Sequence, residues 1–194
     1  MNNKFRMSKV AKMLMLASGV SIMPVPVTAA ITGSQTGSDI TLPDGTILIG
    51  DKTTNSGLYG ILVPTGTTAT VDAGIGSTVR VTDTDHFAQD IVLRGPNSLF
   101  TADKLIVSVS GKTANGFELA GKNSSADLGT GSSVTTVGTG SGFADAVTVK
   151  NASSLTAEKL QISTQGIGGR GLYVSGDGPG YRQSAVTDRK SAHY

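Results

Sequence analysis

The chain has 194 residues, of which Gly, Ser and Thr fill 71, while aromatic residues make up 5% and charged residues 15%. It has no Cys, which excludes a disulfide scaffold, a thiolate metal site and a cysteine nucleophile. So few charges with so much Gly and Thr argue against a disordered polyelectrolyte, a coiled coil and helix in general, which leaves an all-β, turn-rich chain or a flexible low-complexity one.

The net charge of +2 is unevenly spread. Residues 1–29 hold Lys4, Arg6, Lys9, Lys12 and no acid, and the remainder carries 12 basic and 14 acidic residues. All five Met fall in the same opening stretch. Its basic start leads into the apolar run Met13–Met23, then Pro24-Val-Pro-Val and the small residues around Ala29 and Ala30. That order is the signature of a cleaved secretory signal, cut after Ala29 or Ala30. The apolar run is about half the ~20 residues a membrane-spanning helix needs. An amphipathic helix opening a cytosolic domain would explain neither the missing acids nor the small-residue exit.

The rest of the chain repeats. Residues 98–111 (SLFTADKLIVSVSG) align with 153–166 (SSLTAEKLQISTQG) at an offset of 55, with seven of 14 positions identical. Fifty-five is about two units of 27 or 28, and the looser copy Val134–Gly140 falls between Leu105…Gly111 and Leu160…Gly166. A second mark, a turn cluster closed by a large apolar residue, recurs at Leu58, Phe87, Phe117, Phe143 and Leu172, at spacings of 29, 30, 26 and 29. Between marks, Thr68–Val71, Thr78–Val81, Leu105–Val109 and Ala146–Val149 alternate apolar with small polar residues and read as short strands between turns.

About three short strands per 26–30 residues suit one coil of a parallel β-helix. A single coil cannot bury its own apolar face, so stability grows by stacking. About five coils are expected, with Leu58, Phe87, Phe117, Phe143 and Leu172 as one interior column and Leu105, Val134 and Leu160 as a second. An antiparallel β-sandwich is the competing fold, but it requires no such self-similarity.

The motif x-S-x-x-T-A-[DE]-K-L-x-[IV]-S-x-x-G followed by G-[FL]-x-[LV], and above all Leu160–Ser175, resembles passenger domains of Gram-negative autotransporters of the pertactin and AIDA adhesin type. The resemblance covers residues 1–175. It implies a right-handed parallel β-helix exported through the Sec machinery and displayed at the cell surface, with a host-cell or extracellular-matrix surface as the partner of an intact relative. The expected organisation is a signal peptide over 1–29, a β-helix passenger fragment over 30–176 and an irregular, frame-shifted tail over 177–194. Intact members resembling this chain have more coils and a C-terminal outer-membrane barrel, which would read as repeated ~10-residue alternating strands; no such stretch is seen. Two readings of the tail are open: a passenger whose reading frame shifts near residue 178, or a solenoid with an irregular cap. A truncated form would stop in the periplasm.

Candidate chemistry is sparse, and no catalytic, cofactor-binding or metal residue is assigned. Asp83-Thr-Asp85-His86 could begin a metal or acid–base site, but reads as a polar coil corner. Asp39, Asp44 and Asp51 read as solvated loop charges. Gly166–Gly171 matches G-x-G-x-x-G, yet phosphate binding requires a helix next, and Leu172–Ser175 reads as strand. Asn123 and Asn151 head glycosylation sequons that turn sequences produce freely. The basic residues Arg80, Arg94, Lys104, Lys112, Lys122, Lys150 and Lys159 read as dispersed, with no stripe for nucleic acid. His193 lies in the tail, so a Ser-His-Asp triad would have to recruit His86 and has no local support. Two function classes follow: a non-catalytic surface or interaction module of adhesin type, and a secreted β-helix lyase or hydrolase. The second requires clustered carboxylates or basic residues aligned across adjacent coils, and a groove that gathers two or more carboxylates would discriminate it; Asp103 and Glu158 read as surface charge beside Lys104 and Lys159.

Overall fold

The computed structural model describes residues 30–50, 58–140 and 142–176, together with the backbone of 185–188; of Thr84 only the backbone is described. The expected signal segment and most of the expected tail lie outside the described residues. Among those described there is no helix, and the strand pairings are all parallel.

The lowest level carries β1 (Ala30–Thr32), β2 (Gln35–Thr36) and β3 (Asp39–Thr41). The second carries β4 (Ile47–Ile49), β5 (Leu58–Val63) and β6 (Thr70–Ile75). At the third, β7 (Thr78–Leu93) bends across two faces before β8 (Leu99–Asp103), and at the fourth β9 (Ile106–Leu119) does the same before β10 (Ser125–Thr130). The fifth has β11 (Ser133–Gly138), β12 (Ala144–Val149) and β13 (Ser154–Glu158). The last has β14 (Gln161–Gln165), β15 (Leu172–Val174) and β16 (Ala185–Asp188). The chain is thus a parallel β-solenoid whose six stacked levels are joined by about five turns, each rung ~4.8 Å above the last.

Three faces result. The first stacks β1, β4, the start of β7, the start of β9, β11 and β14; the second stacks β2, β5, the ends of β7 and β9, β12 and β15. The third runs from β3 through β6, β8, β10 and β13 to β16. Residues 185–188, inside the segment expected to be irregular, therefore continue the third face, with Ala185 beside Ser154.

Alternation along each strand sends every second residue inward. On the first face Leu48, Val79, Val107 and Val134 stand in one buried column, closed by the partly buried Ile31 and Ile162. On the second, Ile61, Ile91, Phe117 and Val147 form one column, and Val63, Leu93, Leu119 and Val149 another. The third supplies Ile40, Val71, Phe100, Ala126 and Leu155. Phe100 and Phe117 meet edge to face across the interior, centroids 5.1 Å apart and planes at 80°, a favoured aromatic geometry.

These columns correct both expected ones. Leu58 stacks on Ala88, Ala114 and Ala144, whereas Phe117 belongs with Ile61, Ile91, Val147 and Leu172. Phe87 and Phe143 are 37% and 62% exposed, and Leu172 is 45% exposed. Corner length is the cause: Asp83 pairs with Gly111 and Phe87 with Thr113, so the third coil carries two extra residues at that corner. Val134 pairs with Val107 and Ile162, not with Leu105 and Leu160. The level of Leu105 is occupied by Ser132, whose hydroxyl accepts the Leu105 N–H at 2.9 Å.

The corner from the third face to the first explains the 55-residue repeat. Gly45, Gly76, Lys104, Gly131 and Lys159 all turn there with φ between 52° and 74°. β6 and β10 reach the corner through Asp72-Ala-Gly74 and Asp127-Leu-Gly129, each with a register shift; β8 and β13 reach it through Thr-Ala-Asp-Lys and Thr-Ala-Glu-Lys without the extra residue. Bulged and unbulged coils alternate, so the best self-match spans two coils.

At the corner between the second and third faces, a methyl on Gly121 would overlap the carbonyl oxygen of Gly95 directly below. Asn97, Asn123 and Asn151 follow with φ of 51°, 56° and 57°, a conformation Asn tolerates better than most residues. The two sequon asparagines are therefore turn residues. Buried serines bind the levels together: the Ser98 hydroxyl accepts the Ala69 N–H at 3.1 Å, and Ser124 Oγ accepts the Ser98 N–H at 2.9 Å.

The two marker phenylalanines should separate in a denaturation experiment. Phe117→Ala empties the core contact with Phe100 and is expected to cost about 3–5 kcal/mol. Phe143→Ala, on the surface, is expected to cost about 1 kcal/mol or less. Equal losses in urea unfolding would contradict the assigned columns.

Candidate functional site

Two concave regions each bring four charged side chains together. The first lies on the third face, where register brings Thr41, Asp72, Thr101, Asp127 and Thr156 into one outward ladder. Beside it a shallow groove of about 360 Å³ is lined by Asp44, Asp72, Asp103 and Asp127. Carboxylates do gather here, which sequence spacing did not bring out.

Each of these acids has an acceptor committed to a peptide N–H. Asp72 and Asp127 accept from Gly74 N at 3.0 Å and Gly129 N at 3.1 Å, two residues ahead in their own bulges. Asp44 and Asp103 accept across a coil, from Ile75 N at 2.8 Å and Thr130 N at 2.7 Å. Glu158 approaches Thr130 from the other side, its Oε2 accepting from Thr130 Oγ1 at 3.2 Å. Bulging a strand leaves amides without ladder partners, and these carboxylates supply them. Asp44 is thus a cross-coil cap, not a solvated loop charge. Asp103 and Glu158 are more than surface charge, because they hold the coil between them. Asp51 lies outside the described residues.

The second region lies at the corner between the second and third faces. A concavity of about 620 Å³ is lined by Arg94, Lys122, Lys150 and Glu118, with Thr65, Gly66, Pro96, Ala120 and Asn151. Glu118 sits at its centre, with Oε2 at 3.5 Å from Arg94 and Oε1 at 3.8 Å from Lys150. The buried Gln89 on the level below donates Nε2 to Glu118 Oε2 at 3.1 Å and fixes the carboxylate. Cations read as dispersed are therefore brought together. Their spacing was the available signal, since Arg94, Lys122 and Lys150 are 28 residues apart, one per coil.

The remaining candidates sort simply. Asp83, Asp85 and His86 lie at an exposed corner, where Asp83 Oδ1 accepts from Asp85 N at 2.9 Å and from His86 N at 3.2 Å. The bond from Asp85 N, with smaller help from His86, holds the Asp83 carboxyl below its ordinary value. Among the described residues no group of three or more His, Asp or Glu is placed to hold a metal ion. Gly166–Gly171 forms the corner between β14 and β15, followed by strand. Arg170 in that corner binds Asp145 through two bonds, at 2.9 and 2.6 Å, and lies 3.8 Å from the centroid of Tyr173. His193 lies outside the described residues.

Sequence reading missed Asp90. It is buried on the second face, level with Gly60 and Gly116, and neither carboxyl oxygen has a hydrogen-bond partner. Burial pushes its carboxyl well above the ordinary range; the N–H groups of Ser108 and Val81 and the charge of Arg80 act in the opposite direction without completing a hydrogen bond.

Over 144 residues, 72% of the chain, the sequence is 40% identical to a protein of Escherichia coli K12 named "Probable autotransporter YcgV". The chain is related to a probable autotransporter. The uncharacterized protein YcgV of Escherichia coli O157:H7 matches at the same identity over the same length. This autotransporter relative spans 14% of the K12 protein and 25% of the O157:H7 protein. No family model matches the chain, and no solved structure matches it. A β-solenoid fits an autotransporter passenger domain.

Two expectations test the assigned roles of the acids. Asp103→Ala strands the Thr130 N–H and is expected to cost about 1–2 kcal/mol, with Asp103→Asn, which keeps an acceptor oxygen, costing less. Equal losses for the two variants would remove the capping role. Asp90 enters the fold protonated, so as pH rises above its ordinary value near 3.8 the unfolded state gains by ionising and the folded state does not. Asp90→Asn is therefore expected to match the parent near pH 3 and to melt at a higher temperature at pH 7. Melting curves that stay parallel across that range would contradict the assignment.

Proposed function

We propose that the chain is a non-catalytic surface module, the passenger portion of an autotransporter-type protein, exported after removal of residues 1–29 and adhesin-like in its use. The observation that carries this reading is the 40% identity over 144 residues to a protein named a probable autotransporter, in a chain that folds as a β-solenoid. A stack of coils offers long ungated faces, suited to contact with an extended partner such as a host-cell or matrix surface. The basic, acid-free opening segment followed by an apolar run and small residues supports Sec export.

A secreted carbohydrate-active enzyme is the second reading, favoured by the gathering of Asp44, Asp72, Asp103 and Asp127 in one groove. Paired carboxylates are what glycoside hydrolysis requires. Their shared engagement with backbone amides argues for a scaffolding role instead.

The deciding experiment is fractionation of the native host with protease added to intact cells. Cleavage of the chain from outside is expected. A product confined to the periplasm would overturn surface display, and degradation of an acidic polysaccharide that is lost with Asp127→Asn would shift the reading to the enzyme.

A further inference from the structure

We propose that the concavity formed by Arg94, Lys122 and Lys150 is a binding site for a linear acidic polysaccharide, with the chain lying along the solenoid axis. This deepens the interaction-module reading and rests on it.

The cations come from three successive coils. Leu93, Leu119 and Val149 are register partners, so Arg94 and Lys150 occupy one column two levels apart, ~10 Å at the sheet spacing. Lys122 comes from the level between, two residues further round the corner, and lines the same concavity. Three positive charges distributed along the axis match a polymer carrying anionic groups at regular intervals better than a single compact anion.

Glu118 gives the site its built character. It is nearly buried, with 11% of its side chain exposed, and it joins Arg94 to Lys150, whose side chains are 38% and 33% exposed. Gln89 holds the carboxylate from beneath. The outer ends of both cations are thereby fixed at the rim and open to solvent, with less rotamer freedom to lose on binding. With three cations and one acid, the concavity is net positive on a chain whose residues after 29 carry more acids than bases.

The remaining lining selects the polymer. Thr65 offers a hydroxyl to sugar hydroxyl groups, and Asn151, whose Nδ2 donates to the Ala120 carbonyl, offers its amide oxygen. Single-stranded nucleic acid is held by stacking its bases on aromatic platforms, and the Tyr173 ring, 5.8 Å from Lys150 Nζ, is already faced by the Arg170 guanidinium at 3.8 Å, so a stacked base would have to displace it.

The test uses the full exported chain and a fluorescent heparin octasaccharide, with binding followed by anisotropy over a series of salt concentrations. Binding is expected to weaken as salt rises. Lys122→Ala and Lys150→Ala should each weaken it about tenfold, the size of one charge-assisted hydrogen bond, and lower the salt slope by about one. Glu118→Gln, which removes the competing carboxylate, should strengthen it. Lys104→Asn and Lys159→Asn, at a different corner, should leave it within about twofold, and Asn tolerates their positive φ. Lys122 is exposed, so its variant serves if Lys150→Ala melts early. Absence of binding, equal losses from the Lys104 and Lys159 variants, or equally tight binding of oligothymidylate or polyglutamate would each overturn the proposal. None of these outcomes bears on surface display, which protease treatment of intact cells reads separately.

Discussion

A single coil of this chain buries nothing on its own, and everything else in the structure follows from the need to set each coil's inward residues on those of the coil below. Leu48, Val79, Val107 and Val134 are apolar in the same column because each is covered only when its neighbours above and below are in place. Strand pairing fixes this register through backbone bonds, and a slip of one residue would turn the apolar set outward. The interior is narrow, so size is distributed: Phe100 and Phe117 meet across it, while at the bend of β7 and β9 the smaller Ala88 and Ala114 pack with Val81 and Val109.

Stacking in register forces every corner to repeat, and corners are where an L-amino-acid chain is least comfortable. The third-to-first-face corner requires a left-handed residue at each level, supplied by Gly at Gly76 and Gly131 and by Lys at Lys104 and Lys159. The glycine coils also carry the bulge, whose unpaired amides are capped by Asp72 and Asp127 from within and by Asp44 and Asp103 from the coil below. The unbulged coil thus contributes the acid that the bulged coil needs. This reciprocity accounts for both the two-coil sequence period and the row of carboxylates on the third face, without reference to catalysis.

The period and the strands were legible because alternation and turn residues are local properties. Which residue stands on which was less legible, because corners differ in length by one or two residues and sequence spacing counts them equally. Phe87 and Phe143 look equivalent to Phe117 for that reason, yet they emerge at the surface. Counting back from the closing glycines sets Val134 against Leu105, whereas its alternation partner is Val107. The cationic concavity depends on side chains from three coils meeting across a corner. A common spacing of 28 hints at it, but only the register shows that Arg94 and Lys150 share a column.

Asp90 stands apart from this economy. Its level is held by Gly60 below and Gly116 above, and a methyl on Gly60 would come within 2.7 Å of the Asp90 carbonyl oxygen, so the position has room for little more than backbone. An unpaired buried carboxyl there is destabilising, and in a quasi-one-dimensional stack that cost is felt by the coils that touch it and is not averaged over the whole molecule. The third level is accordingly the weak rung of its second face, held by Ile91 and Leu93 on the same strand and by the Phe100–Phe117 contact to the coil above. Separation of the third level from the fourth would expose both phenylalanines at once.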